Sequence, residues 1–250
     1  MAAENVQKAH YEAMHDDYER HYYDATSLDY RRRFIFKPAL KGLDLSGARI
    51  ADIASGSGWN TVLMKEFVPT ATFHGFDISG PACRAYQTNT GFPATECDLS
   101  AYSHEGELFD AAIVIGGLHH MVNDLATSTA AIAGMIKPGG YLIAYEPNAD
   151  FFLNVARKAW YRVDRYFEEE TERALSVEEL KSCFSGKMDL MNVRPIGGPS
   201  YISILNSLVL RIPMAAKKPL ASLLNVAEVA YNSLPGRAPF PAFLSTWQRL

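Results

Sequence analysis

Residues 49–64, RIADIASGSGWNTVLM, constrain the fold more than any other part of the chain. The stretch begins as a short apolar run, breaks into Ala54-Ser55-Gly56-Ser57-Gly58, and resumes with apolar residues. A strand that turns at once into a helix needs a tight bend, and glycine admits backbone angles that other residues resist. Small side chains also let a ligand lie directly against the backbone, where the amides of a helix start point outward. Gly56 and Gly58 therefore suggest a nucleotide-like ligand over the end of the first strand, although tight strand–helix turns often bind nothing.

The surrounding sequence repeats this alternation. Short apolar runs at residues 49–53, 72–76, 94–97, 111–115 and 141–145 read as strands, with helical patterns between them at 61–67, 80–88 and 124–136. Such alternation implies a parallel sheet covered by helices on both faces. In sheets of this kind ligands bind at the carboxyl ends of the strands, where the strand order reverses.

Upstream, residues 4–41 read as helical, broken near 24–27, with Tyr11, Tyr18, Tyr22, Tyr23 and Tyr30 among charges. Downstream of Glu146-Pro147 the pattern changes. Residues 151–167 look like an aromatic-rich helix, and Ser176 with Glu179 has the spacing of a capping box for a helix ending near Phe184. A strand is expected over 189–195. An amphipathic helix is expected over 201–212, ended by Pro213, and a second over 220–234. The closing AFLSTWQRL reads as an edge strand.

Asp77 stands about twenty residues beyond the glycine loop, at the end of the second strand. A carboxylate there accepts hydrogen bonds from ribose hydroxyls. As a lone feature it would read as a helix cap; with the loop it points to a ribose-bearing cofactor. Asp98 ends the third strand in the same way, placed for an exocyclic amine such as that of adenine. The nicotinamide fingerprint demands a third glycine three residues after Gly58, where this chain has Thr61. A nicotinamide-dependent oxidoreductase is therefore the alternative rather than the leading reading.

ADIASGSGWN, GFDIS, ECDLS, FDAAIVIGGLHHM and IKPGGYLIAYEP, in this order, resemble the successive motifs of class I S-adenosylmethionine-dependent methyltransferases. The resemblance spans roughly residues 11–147. It departs at Ala54, where that family usually has the first glycine of its loop. It implies a Rossmann-like, seven-stranded, mostly parallel α/β sheet with helices on both faces. Amino-terminal helices and a helical insertion near the carboxyl end complete that fold. It also implies S-adenosylmethionine as cofactor. On this reading Asp52 helps orient the methionine amino group indirectly, and Ala54, Ser55 and Gly56 lay backbone against the cofactor. Asp77 holds the ribose with Ile78 beside the adenine, Asp98 takes the adenine amine with Leu99 next to it, and Ile115 and Gly116 border the methionine end. Tyr18 resembles aromatics that cover the cofactor in relatives. KPGG (137–140) is expected to be structural, a helix stop and turn.

Methyl transfer from such a donor is an in-line displacement that needs alignment and a free lone pair on the acceptor; positioning supplies roughly 7–11 kcal/mol of the barrier reduction. A hydroxyl acceptor, the expected class, benefits from a nearby base. His119, His120 and Glu146 are the candidates, although LHH also resembles a motif shared by relatives with different substrates, which favours a shaping role.

Composition sets the outer limits. The 250 residues, 48% hydrophobic and 21% charged, suffice for one large domain or a domain with an insertion. The expected division is amino-terminal cover helices (1–46), a cofactor-binding core (47–150), and remaining core elements with a helical lid (151–250). A net charge of −4 argues against nucleic acid as partner, and the acceptor is expected to be a small molecule. No apolar run reaches the ~18 residues of a membrane span. The polar amino terminus lacks the apolar segment of a secretory signal. Three cysteines, Cys83, Cys97 and Cys183, fit a reduced cytoplasmic setting, and no metal site is expected. The last fifty-odd residues stand apart: from Pro199 on, five basic residues face one acidic, Glu228. Three readings stay open for that tail: a lid, a homodimer surface, or a helix lying on anionic lipid.

Overall fold

The computed structural model describes residues 21–155, 173–207 and 210–250. Seven strands form one sheet: β1 (Arg49–Ile53), β2 (Thr72–Asp77), β3 (Ala94–Glu96), β4 (Phe109–Ile115), β5 (Ile136–Pro147), β6 (Met188–Ile196) and β7 (Ala242–Arg249). Their order is β3-β2-β1-β4-β5-β7-β6. All pairs are parallel except β5–β7 and β6–β7. The central strands are apolar on both faces because both are covered: Ile50 to Ile53 and Ala111 to Ile115 are buried throughout.

The helices divide between the two faces. On one, α1 (Ala25–Tyr30) runs through a π-helical stretch, Arg31–Phe36, into a last turn at Lys37–Ala39. Its Tyr30, Ile35 and Phe36 pack with Leu63 and Met64 of α3 (Trp59–Phe67, numbered after that last turn, α2) on Ile50, Ile113 and Ile143. On the other, α5 (Leu125–Met135) and α6 (Val177–Phe184) bring Ile132, Met135, Leu180 and Phe184 against Ala51, Ala112, Val114 and Trp247. α4 (Gly80–Thr90) follows β2, capped by the Ser79 side chain and ended by Gly91 in the left-handed conformation. α7 (Met214–Tyr231) lies between β6 and β7 in the sequence. Strand order reverses between β1 and β4, so the carboxyl ends of β1, β4 and β5 open a crevice there.

Several expectations need correction. AFLSTWQRL is not an edge strand: β7 pairs on both sides, and β6 is the edge. This suits its run of buried residues from Ala242 to Ser245. KPGG does not precede the fifth strand but lies inside it; Gly140 is required because a Cβ there would meet the Asp110 carbonyl at 2.6 Å. The helix expected over 201–212 shrinks to a π-helical turn, Tyr201–Leu205. Asn206 stops it by donating both its backbone N–H (2.9 Å) and its side-chain amide (3.1 Å) to the Tyr201 carbonyl. The next helix starts earlier than expected, directly after Pro213. Of the helix expected over 151–167, only residues 151–155 are described; Tyr11 and Tyr18 also lie outside the described residues. Among the described residues no helix is long and apolar enough to cross a membrane, and no cluster of metal-ligating side chains occurs.

Candidate functional site

The loop after β1 is held in place by the end of β2. Ser55 N–H donates to the Phe76 carbonyl (3.1 Å), and Gly56 N–H donates to Asp77 Oδ2 (2.8 Å). Asp77 Oδ1 accepts from Ser79 N–H (2.9 Å). Asp98 is arranged similarly, taking Ser100 N–H and Oγ–H at 2.8 Å each. Ile78 is half-buried between these two acids in sequence, whereas Leu99 is buried in the second core.

The two glycines do different work. Gly58 has φ +88°, and a Cβ there would meet Thr90 at 2.5 Å and Tyr86 at 2.8 Å, so its missing side chain admits α4. Gly56 sits at φ +52°, in the left-handed region that glycine adopts without strain. Ala54 also sits at positive φ, +51°, where an L side chain crowds its own carbonyl. Replacing Ala54 with glycine is expected to stabilise the fold by about 0.5–1 kcal/mol, read as a higher denaturation midpoint at unchanged m.

Asp52, fully buried on β1, accepts from Thr61 Oγ1 at 2.7 Å, and Thr61 in turn meets the Tyr86 hydroxyl at 2.8 Å. The residue that replaces the third fingerprint glycine is thus the anchor of the loop's acid. Burial, with the charge of Asp77 nearby, pushes the Asp52 carboxyl up to about 8.

Across the crevice, Glu146 near the end of β5 is also fully buried. Its Oε1 accepts from Gly117 N–H (3.1 Å) and Leu118 N–H (2.8 Å), and its Oε2 from His119 N–H (3.2 Å) and His119 Nδ1 (2.8 Å). This carboxylate ties the segment after β4 to β5. Three backbone donors, together with the His119 ring when Nδ1 carries the proton, surround the two oxygens of Glu146. The His120 ring lies against that of His119, centroids 3.9 Å apart. Ile115 is buried at the end of β4, and Gly116, with φ +72°, donates to the Tyr145 carbonyl at 2.7 Å.

Sequence reading missed a second set of residues. Arg31, buried in the π-helical stretch, donates from Nη1 to Asn60 Oδ1 (3.1 Å), one residue before Thr61, and its guanidinium lies 4.7 Å from the Tyr23 ring centre. Tyr23 stacks on Trp59 at the start of α3. Tyr145 stands opposite Ile115 in the β4–β5 register. Among the described residues, the buried side-chain polar atoms lacking a hydrogen-bond partner are Arg31 Nε, Asp52 Oδ1, Ser55 Oγ and the Tyr145 hydroxyl. Each such atom costs about 1–3 kcal/mol when left unpaired. Asp52 lies on β1, Ser55 in the loop that follows it and Tyr145 on β5, while Arg31 is tied to Asn60 at the start of α3. They combine a cationic donor, an acid and two hydroxyls, which fits a ligand with a zwitterionic amino-acid end. The one signal available in sequence was the arginine triplet Arg31–Arg33, which reads as an ordinary charged helix face.

Residues 50–140 match the family model described as a methyltransferase domain. No curated protein sequence matches the chain significantly. Among solved structures, a cyclopropane synthase from Mycobacterium tuberculosis aligns with TM-score 0.64 at 15% identity, covering 99% of this chain and 98% of that one. A possible histamine N-methyltransferase from Thermotoga maritima gives TM-score 0.64 at 15% identity, covering 96% and 98%. The N-methyltransferase NodS from Bradyrhizobium japonicum, in complex with S-adenosylhomocysteine, gives 0.55 at 12%, covering 94% and 97%. These likenesses establish the shared fold across nearly the whole chain. Residues 50–140, the strands and loop that build the crevice, thus match a methyltransferase domain, set in a chain whose whole fold is that of the class I S-adenosylmethionine-dependent methyltransferases.

Proposed function

We propose that the chain methylates a hydroxyl oxygen of a small molecule, with His119 receiving the hydroxyl proton. The supporting observation is the 2.8 Å contact between His119 Nδ1 and the fully buried Glu146. A carboxylate there favours the tautomer with the proton on Nδ1, which leaves Nε2 as the basic nitrogen of the neutral ring. The same arrangement stabilises the imidazolium formed when a proton arrives.

Bound S-adenosylmethionine supplies a methyl group activated on a sulfonium sulfur. The chain's part is to hold that donor and present the acceptor in line with it. Asp77 and Asp98 would take the ribose hydroxyls and adenine amine, with Ile78 beside the ring. Asp52, Ser55 and Arg31 would take the amino-acid end, and Ala54, Gly56, Ile115 and Gly116 would border it with backbone. The helical elements at residues 21–39 and α7 would cover the acceptor, keeping water from the reacting atoms.

The test is methyl transfer from labelled S-adenosylmethionine to a panel of phenols, alcohols and amines. Labelling of hydroxyl compounds is expected, with at least a hundredfold loss of kcat in His119→Ala and loss of the acidic limb of the pH–rate profile. Labelling confined to amines would overturn the oxygen acceptor. A loss below about tenfold in His119→Ala would overturn the base while leaving the transferase.

A further inference from the structure

α7 is built inside out. An amphipathic helix on a water-exposed domain turns its apolar stripe to the core and its polar stripe to solvent. Here Lys217, Ala221, Asn225 and Glu228 are the buried residues, while Leu223, Val226 and Val229 are 72%, 69% and 61% exposed, with Leu220 beside them.

The inward polar residues explain how such a helix stays docked. Lys217 Nζ donates to Ser27 Oγ and the His21 carbonyl, 2.7 Å each, and forms an ion pair with Asp24, the N-cap of α1. Asn225 Oδ1 accepts from Ser200 Oγ (2.6 Å). Glu228 Oε1 accepts from the Tyr30 hydroxyl (2.7 Å) and Gly198 N–H (3.0 Å), and Oε2 from Ser200 N–H (2.9 Å) and Tyr201 N–H (3.3 Å). Buried charges with this many partners fix the helix's rotation. The outward apolar stripe contributes nothing to that attachment.

The charge around the stripe selects its occupant. From Pro199 to the end, Glu228 is the single acidic side chain, and it is spent inside. Lys218 and Arg211 are exposed. The outer surface of this segment therefore offers apolar side chains and cations without a carboxylate of its own. A second copy meeting it face to face would bring together two cationic surfaces that lack carboxylates of their own. An anionic bilayer complements both features.

We propose that α7 docks the protein on anionic lipid, with Leu223, Val226 and Val229 entering the headgroup–acyl boundary and Lys218 meeting lipid phosphates. The test is co-sedimentation of the full chain with phosphatidylcholine vesicles and with mixed phosphatidylcholine–phosphatidylglycerol vesicles, at low and high salt. Selective binding to the anionic vesicles is expected, weakened by salt, and reduced roughly tenfold or more in a Leu223→Asp/Val226→Asp double variant. Because both side chains are exposed, that variant should keep its melting temperature and its thermal shift with S-adenosylhomocysteine. Lys218→Glu should reduce binding on its own. Failure of the wild-type chain to bind anionic vesicles would overturn the proposal, as would binding that the double variant retains. A dimer in sedimentation velocity that the double variant dissolves, without vesicle binding, would assign the face to a second copy and overturn it equally.

Discussion

Glu146→Ala is expected to lower stability by about 3 kcal/mol or more and to reduce turnover at least as far as loss of His119 does. The carboxylate is the partner of three consecutive backbone amides, those of Gly117, Leu118 and His119, in a segment where two of those residues are buried. Truncation leaves those donors facing a cavity in the protein. For a domain of this size the expected fall in melting temperature is roughly 6–12 °C. Glu146→Gln keeps the volume but turns an N–H₂ group toward one pair of donors, so it should recover little of the loss. A kinetic readout separates orientation of His119 from mere scaffolding. If Glu146 acts through His119, the double variant His119→Ala/Glu146→Gln should show no larger kcat loss than the worse single variant. Additive losses would show that Glu146 contributes independently. A melting temperature within about 3 °C of wild type for Glu146→Ala would contradict the clamp itself.

The sheet was legible because its strands are short apolar runs separated by helical patterns, and periodicity alone marks such elements. The acids at 52, 77 and 98 were legible because each ends or nearly ends a strand, and their spacing follows the βα repeat. Glu146 was visible as a chemical group but not in its role, since nothing local tells that its partners lie about thirty residues upstream. Arg31 was invisible for the same reason: a charged residue among charges gives no sign that it reaches Asn60 and is buried. α7 was legible as a helix but not in its rotation: only the long-range partners of Lys217 and Glu228, in residues 21–30 and 198–201, turn its apolar stripe outward. The place of β7 beside β5 rather than at the margin is likewise a matter of topology, which a strand's own sequence does not encode.

Asp52→Asn is expected to weaken S-adenosylhomocysteine binding by about ten- to a hundredfold while leaving the ligand-free fold as stable as wild type or more so. Unfolded, this carboxyl titrates near 3.9; folded, burial raises it to about 8. Between those values the native state holds a proton that the unfolded chain has lost, so this group makes stability fall as pH rises from about 4 to about 8. Asparagine resembles the protonated acid and can still accept from Thr61, so the variant should lose that slope and melt higher than wild type near pH 8. A ligand ammonium reverses the balance, because it favours the ionised carboxylate. Binding to the wild-type chain at pH 6–7 should therefore release up to one proton, and affinity should rise toward pH 8. Calorimetry in buffers of different ionisation enthalpy reads this proton directly, and Asp52→Asn should abolish it. Equal affinity in the variant, or an unchanged proton count, would show that the cofactor's amino-acid end does not engage Asp52.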